Sequence, residues 1–263
     1  MFTVFQKLLP KHLLSRIVGW LAASRIRFIK TLFINVICLF YKIDLAEAQR
    51  PDKRDYLSFN DFFTRRLKDG ARPVTGAVSS PADGTVAALG QINGDTLIQS
   101  KNHTYSLQTL LGAKEVDEYH AGSFITIYLA PHNYHRVHMA VTGNLHSAKY
   151  IPGDLFSVNQ STAEQLPNLF ARNERLVCRF QTNNGPMATV MVGAMLVAGI
   201  QPVWLDNPYK PRVHVSSKIE RPFRQGDELG QFQMGSTVIL LFSRRLDFVV
   251  EEGQAVCYGE PLI

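Results

Sequence analysis

Acidic residues are absent from the first 43 positions of this chain, while seven basic ones (Lys7, Lys11, Arg16, Arg25, Arg27, Lys30 and Lys42) fall there. The rest of the chain holds 21 of the 28 lysines and arginines against all 22 acids, so the net charge of +6 belongs to the N-terminal segment. A nucleic-acid enzyme is expected to carry basic residues around its site, and this body has no such surplus. Cysteine is scarce as well. Cys38, Cys178 and Cys257 are odd in number and far apart. That argues against a disulfide framework or a zinc knuckle and fits free thiols in a reducing compartment. No low-complexity tract and no solenoid repeat interrupts an otherwise ordinary composition, 46% hydrophobic and 19% charged over 263 residues. A membrane span is missing too: within "RFIKTLFINVICLFYK" the longest charge-free stretch, Thr31 to Tyr41, is 11 residues, where a span needs about 20. Nor does a small-x-small site suggest a cleaved signal peptide.

What is present begins with two helices. "PKHLLSRIVGWLAAS" places Leu13, Leu14, Ile17, Val18, Trp20 and Leu21 on one broad face, and His12, Ser15, Arg16 and Gly19 on the other. The segment after it is apolar nearly all round, with Thr31, Asn35, Cys38 and Lys42 as a thin polar stripe. Such helices either pack on a core or lie in a membrane interface, with Trp and Leu in the lipid boundary and Lys and Arg on anionic head groups. The missing acids favour the interface. "LSFNDFFTRRLKDGARPV" (57–74) reads as a connecting amphipathic helix through Phe62, Phe63 and Leu67, capped by Asn60.

From about residue 72 short Val, Ile, Thr, Phe and Tyr runs alternate with Gly, Pro and Asn turns: "GTVAALG", "SFITIYLA", "RVHMAVTG", "RLVCRFQT", "MATVMVGAML", "STVILLF" and "LDFVVEEG". This predicts a mainly β (α+β) protein, its catalytic body a β-sandwich or flattened barrel. "RQGDELG" and "EEGQAVCYGE" read as sharp hairpins, and "SLQTLLG" and "STAEQLPNLFARN" as short helices. The expected division is 1–56 for membrane association, 57–71 as connector and 72–263 as catalytic body.

Three stretches hold polar groups that a β core does not need. "SPADGTV" carries Asp83, which alone is as well read as a turn residue. "APHNYHRVHMAVTG" packs His132, His135 and His138 within seven residues. A metal site is not expected from them, because no further ligand type accompanies them and His135 and His138 point to opposite faces of a strand. "MGSTVILLF" places Gly235, Ser236 and Thr237 at the mouth of an apolar strand, as a bulge or as an exposed reactive serine. Asp83, a histidine and Ser236 together suit an oriented proton carrier and a hydroxyl nucleophile.

"SPADGTV", "YHRVHM", "YIPGDLFSVN", "LFARNER" and "GDELGQFQMGSTVILLF" stand in the order and approximate spacing of the phosphatidylserine decarboxylases, and the chain resembles that family over nearly its whole length. The resemblance implies a proenzyme that cuts itself between Gly235 and Ser236, giving chains 1–235 and 236–263. It implies that His138, its tautomer fixed by Asp83, takes the Ser236 proton as the alkoxide attacks the Gly235 carbonyl. β-Elimination of the resulting ester then leaves dehydroalanine and, after hydrolysis, an N-terminal pyruvoyl cofactor. That carbonyl forms a Schiff base with the serine amine of phosphatidylserine and serves as electron sink for loss of carbon dioxide, with His135 as the candidate proton donor.

By the same resemblance "YIPGDLFSVN" shapes the head-group pocket through Phe156, Ser157 and Asn159, although Pro-Gly-Asp equally suits a plain turn. Many bacterial members have Asp where this chain has Asn133. The implied partners are the lipid substrate and the two self-cleavage chains as a heterodimer, with a dimer of these left open; the N-terminal charge adds an anionic membrane surface, on the cytoplasmic face. Two competing readings fare worse. A serine hydrolase would stay intact and wants a Gly-x-Ser-x-Gly elbow; a lipoyl-type carrier wants a lysine at a hairpin tip, and neither "GDELG" nor "GQAVCYG" has one.

Overall fold

The computed structural model describes residues 11–100, 103–195, 199–233 and 236–263; Lys7 and Gly235 lie outside the described residues. Helices α1 (Lys11–Ala23), α2 (Arg27–Phe40) and α3 (Phe59–Phe63) precede the β body. Along α1, Ser15 and Ala22 are buried, whereas Ile17 and Trp20 (70% exposed) face outward. Phe28, Leu39 and Phe40 of α2 are exposed as well, each by at least 75%. Among the described residues no helix is long and apolar enough to cross a membrane.

The α3 turn is capped by Ser58, whose hydroxyl accepts from Asp61 N, and not by Asn60 as the pattern suggested. Asn60 lies inside the helix, because Phe59 must join Phe62 and Phe63 in one buried aromatic face. These rings pack with Tyr56, Ala22 and Ile34 into a small core under the first two helices.

The body is mainly β, as expected. Its strands are β1 (Gly84–Gln91), β2 (Thr96–Ser100), β3 (His103–Ser106), β4 (Ser123–Leu129), β5 (Arg136–His138), β6 (Gly143–Ile151), β7 (Arg175–Thr182), β8 (Gly185–Gly193), β9 (Ile200–Pro202), β10 (Val215–Phe223), β11 (Glu228–Phe232), β12 (Ser236–Phe242) and β13 (Ala255–Val256). Eight form an antiparallel sheet in the order β10-β6-β7-β8-β12-β4-β1-β13, and β5-β11-β9 form a second.

Val238 and Leu240 of β12 lie in the core that also takes Val137, Ile200, Leu229 and Phe232 from the smaller sheet. Ile239 and Leu241 enter a second core, beneath the β2–β3 hairpin and short helices α4 (Leu107–Leu111), α5 (Gln160–Gln165) and α6 (Leu169–Arg172). Burial on both faces is why "STVILLF" is apolar without alternation.

Two expected strands differ. "RVHMAVTG" is strand over Arg136–His138 and again only at Gly143, where β6 begins, because Met139 donates instead to the Asp227 carbonyl and accepts from Gly226 N, in the turn before β11. "LDFVVEEG" is irregular chain whose Leu246 and Val250 nonetheless reach the core.

Candidate active site

The histidine turn is held from the N-terminal side. Arg65 donates to the His132 and Asn133 carbonyls, Arg136 to that of Thr64, and the Phe63 ring lies 4.0 Å from that of His135, centroid to centroid. Tyr41, at the end of α2, lies 5.8 Å from His132. The histidine turn is thus braced by the element that carries the exposed helices.

His135 is fully buried. Its Nδ1–H donates to the Asn133 carbonyl at 2.8 Å, and Nε2 has no hydrogen-bond partner among the described residues. Burial, with Arg65 adding repulsion, pushes it down from 6.5 to about 3, so it is neutral at physiological pH. The Asn133 amide oxygen instead accepts from Ala130 N at 2.7 Å. The backbone of residue 133 orients His135, whatever the side chain there.

His138 points elsewhere. Its Nδ1–H donates to the Gly226 carbonyl at 2.8 Å, so Nε2 is the acceptor and takes the Tyr134 hydroxyl at 3.0 Å. Its ring stacks on Tyr258 at 3.7 Å, and burial lowers it to about 4. The expectation that Asp83 fixes this tautomer needs correction, since Gly226 does so. Asp83 accepts from Tyr258 N at 2.9 Å and from Arg72, which also binds Glu47. Asp83 therefore reaches His138 through Tyr258. A cleft of about 270 Å³ opens at His138, with Arg66, Lys68, Arg72 and Glu228 on its walls.

Ser236 opens the central strand, paired with Leu129 on one side and Gly193 on the other. It is fully buried, and its Oγ has no hydrogen-bond partner among the described residues. No hydrogen bond joins Ser236 to His138, nor His138 to Asp83, among the described residues. The Phe156 loop approaches Ser236 from behind: Asn173 donates to the carbonyls of Phe156 (2.8 Å) and Gly193 (2.9 Å), tying that loop to the partner of Ser236. Asn159 is the cap of α5, accepting from Thr162 N, and Phe156 is buried under Arg172. Ser157 follows Phe156 on the same loop. Among the described residues no cluster of three or more His, Cys, Asp or Glu could hold a metal ion.

The pattern reading missed Arg72, Tyr134, Tyr258 and Glu174. Tyr134 stands inside the histidine motif and Glu174 directly precedes a buried strand, which are faint signals; Tyr258 and Arg72 carry none.

A family model described as phosphatidylserine decarboxylase matches residues 59–263, and a second, described as PSD, matches 1–42. The phosphatidylserine decarboxylase proenzyme of Saccharophagus degradans is 48% identical, over 93% of this chain and 89% of its own. That of Alcanivorax borkumensis is 49% identical over 92% and 87%, and that of Pseudomonas fluorescens Pf-5 48% over 100% and 94%. With the five motifs in order and the matched residues spanning both helices and body, the chain belongs to the phosphatidylserine decarboxylase family.

Proposed function

We propose that this chain is a proenzyme that cuts itself between Gly235 and Ser236 and then decarboxylates phosphatidylserine to phosphatidylethanolamine with a pyruvoyl group made from Ser236. The observation that carries the reading is Ser236 itself: a fully buried hydroxyl at the head of the central strand, without a hydrogen-bond partner among the described residues.

In self-cleavage the Ser236 hydroxyl attacks the Gly235 carbonyl, and His138 accepts its proton. Gly226 keeps Nε2 as the acceptor, and the Tyr134 hydroxyl yields that lone pair or relays the proton. Asp83 is a positioning residue, acting through Tyr258 and Arg72. In the second reaction the pyruvoyl carbonyl, when formed, supplies the electron sink. His135 then delivers a proton through Nε2; the anionic substrate raises its proton affinity by opposing the burial that lowers it. Phe156, Ser157 and Asn159 shape the head-group pocket.

Residues 1–56 are the membrane-associating segment, peripheral on the cytoplasmic face and drawn to anionic lipid; 57–71 connect it to the catalytic body, 72–263. The two products of cleavage stay together as a heterodimer. Intact-mass spectrometry tests the core of this. Wild-type protein is expected as two chains, the smaller beginning with a blocked residue, and Ser236→Ala as one inactive chain. Uncut wild-type protein that still releases carbon dioxide from phosphatidylserine would overturn the reading.

A further inference from the structure

Glu174 is a carboxyl group for which neither reaction above has a use. It is 3% exposed and lies just before β7, on the sheet face that carries Ser236. Its carbonyl accepts from Gly193 N at 2.9 Å, extending the β7–β8 ladder by one pair. Gly193 spends its hydrogen bond on Glu174, so the alternation of an antiparallel ladder makes Gly193–Ser236 the narrow pair, with Cα atoms about 4.5 Å apart. In such a pair the two Cα–H groups point at each other. On the face of the sheet, where residue 193 has no side chain, Glu174 occupies the space: a Cβ at 193 would meet its Cγ at 2.9 Å and Oε1 at 3.0 Å. Oε2 is held from the far side by the Tyr150 hydroxyl at 2.9 Å, whose ring stacks on Tyr209. Oε1 is therefore the oxygen that lies over Gly193, the ladder partner of Ser236.

We propose that Glu174 is the base that removes the Cα proton of residue 236 during self-processing. The inference rests on the self-cleavage reading and assigns the step after it. Once the acyl shift has made the ester between Gly235 and the Ser236 oxygen, the Cα–H bond breaks and its proton passes to the Glu174 carboxylate. The electron pair forms the Cα=Cβ bond, and the Cβ–Oγ bond breaks, Gly235 leaving as a carboxylate with that oxygen. Burial holds Glu174 up at about 7, so it is substantially ionised near neutral pH and a stronger base than an ordinary carboxylate. Besides Tyr150, the titratable group on its face of β7 is Cys178, which burial keeps as a thiol.

The ester has two fates, and the N-terminus of the small chain records which was taken. Elimination leaves a pyruvoyl end, whereas hydrolysis leaves serine, heavier by the mass of ammonia. In full-length Glu174→Gln, nearly the same in shape, pyruvoyl formation should slow on the order of 100-fold. The ester should persist as hydroxylamine-sensitive chain, and the small chain that does appear should begin with serine. Gly193→Ala, whose Cβ displaces the carboxyl group, should give the same products. Pyruvoyl-ended chain forming at the wild-type rate in Glu174→Gln would overturn the proposal. So would a Glu174→Gln chain with neither cleavage nor hydroxylamine-released fragments, which would place Glu174 before the ester or in the fold alone. Wild-type protein lacking any ester or cut would instead remove the self-cleavage reading beneath it.

Discussion

Arg72 bridges two carboxylates at once, Glu47 from the N-terminal side and Asp83 from the entrance to β1, and both Arg72 and Asp83 are nearly buried. Removing one member of such a pair strands the other, which costs more than the pair itself contributes. In a Ser236→Ala background, expected to keep the chain in one piece, Arg72→Met should lose about 3 kcal/mol in urea unfolding; a loss near zero would mean that Asp83 finds another partner. The histidines differ in what they touch, and so should their variants. Asp83→Asn and His138→Ala should slow self-cleavage, while His135→Ala should impair turnover of phosphatidylserine more than cleavage. Fast processing of His138→Ala beside a block in His135→Ala, followed on denaturing gels, would show the two roles to be reversed.

Helix α1 turns Ser15 and Ala22 inward and Trp20 outward, and α2 buries Ile34 while Phe28, Leu39 and Phe40 stay exposed, so both leave large apolar side chains at the surface. That arrangement and the run of basic residues call for the same surface, lipid with anionic head groups. Replacing Lys7, Lys11, Arg16 and Arg25 by Gln removes up to about 4 kcal/mol of head-group attraction before salt screening. Flotation with anionic vesicles should fall sharply in low salt, while self-cleavage, which takes place in the β body, proceeds. Undiminished flotation would assign binding to the exposed apolar face instead. Elsewhere, legibility followed burial. The doubly buried strands β7, β8 and β12 stand out as apolar runs, whereas β10, "VSSKIERPF", sits exposed at a sheet edge and reads like a loop.

For the whole molecule, three buried groups set opposing demands on pH. His135 and His138 are depressed from 6.5 to about 3 and about 4, so the unfolded chain binds their protons first. The stability they contribute is present above pH 6.5 and lost as pH falls towards 4. Glu174 runs the other way, raised from 4.5 to about 7, so its contribution is present below 4.5 and lost as pH rises through 7. Between about pH 5 and 6 two protons oppose one, and stability should rise with pH by about 1.4 kcal/mol per unit. Adding Glu174→Gln to Ser236→Ala should roughly double that slope, as measured by urea unfolding across the range. An unchanged slope would mean that Glu174 is ionised in the folded chain.

The sequence by itself determined the mainly β body, the basic N-terminal helices and the family, because those rest on short-range patterns and on motifs that stand in order along the chain. Ser236 at the mouth of a buried strand was legible for the same reason. Tertiary structure alone decided that Gly226 and not Asp83 sets the His138 tautomer, that Tyr134 covers its other nitrogen, and that Arg72 neutralises Asp83. It alone brought Glu174 over the bare backbone of Gly193, the ladder partner of Ser236, 62 positions further along the chain. Local propensity cannot report such neighbours: a ladder register couples residues by strand order, and a carboxyl group changes its chemistry only when distant side chains have taken away its water.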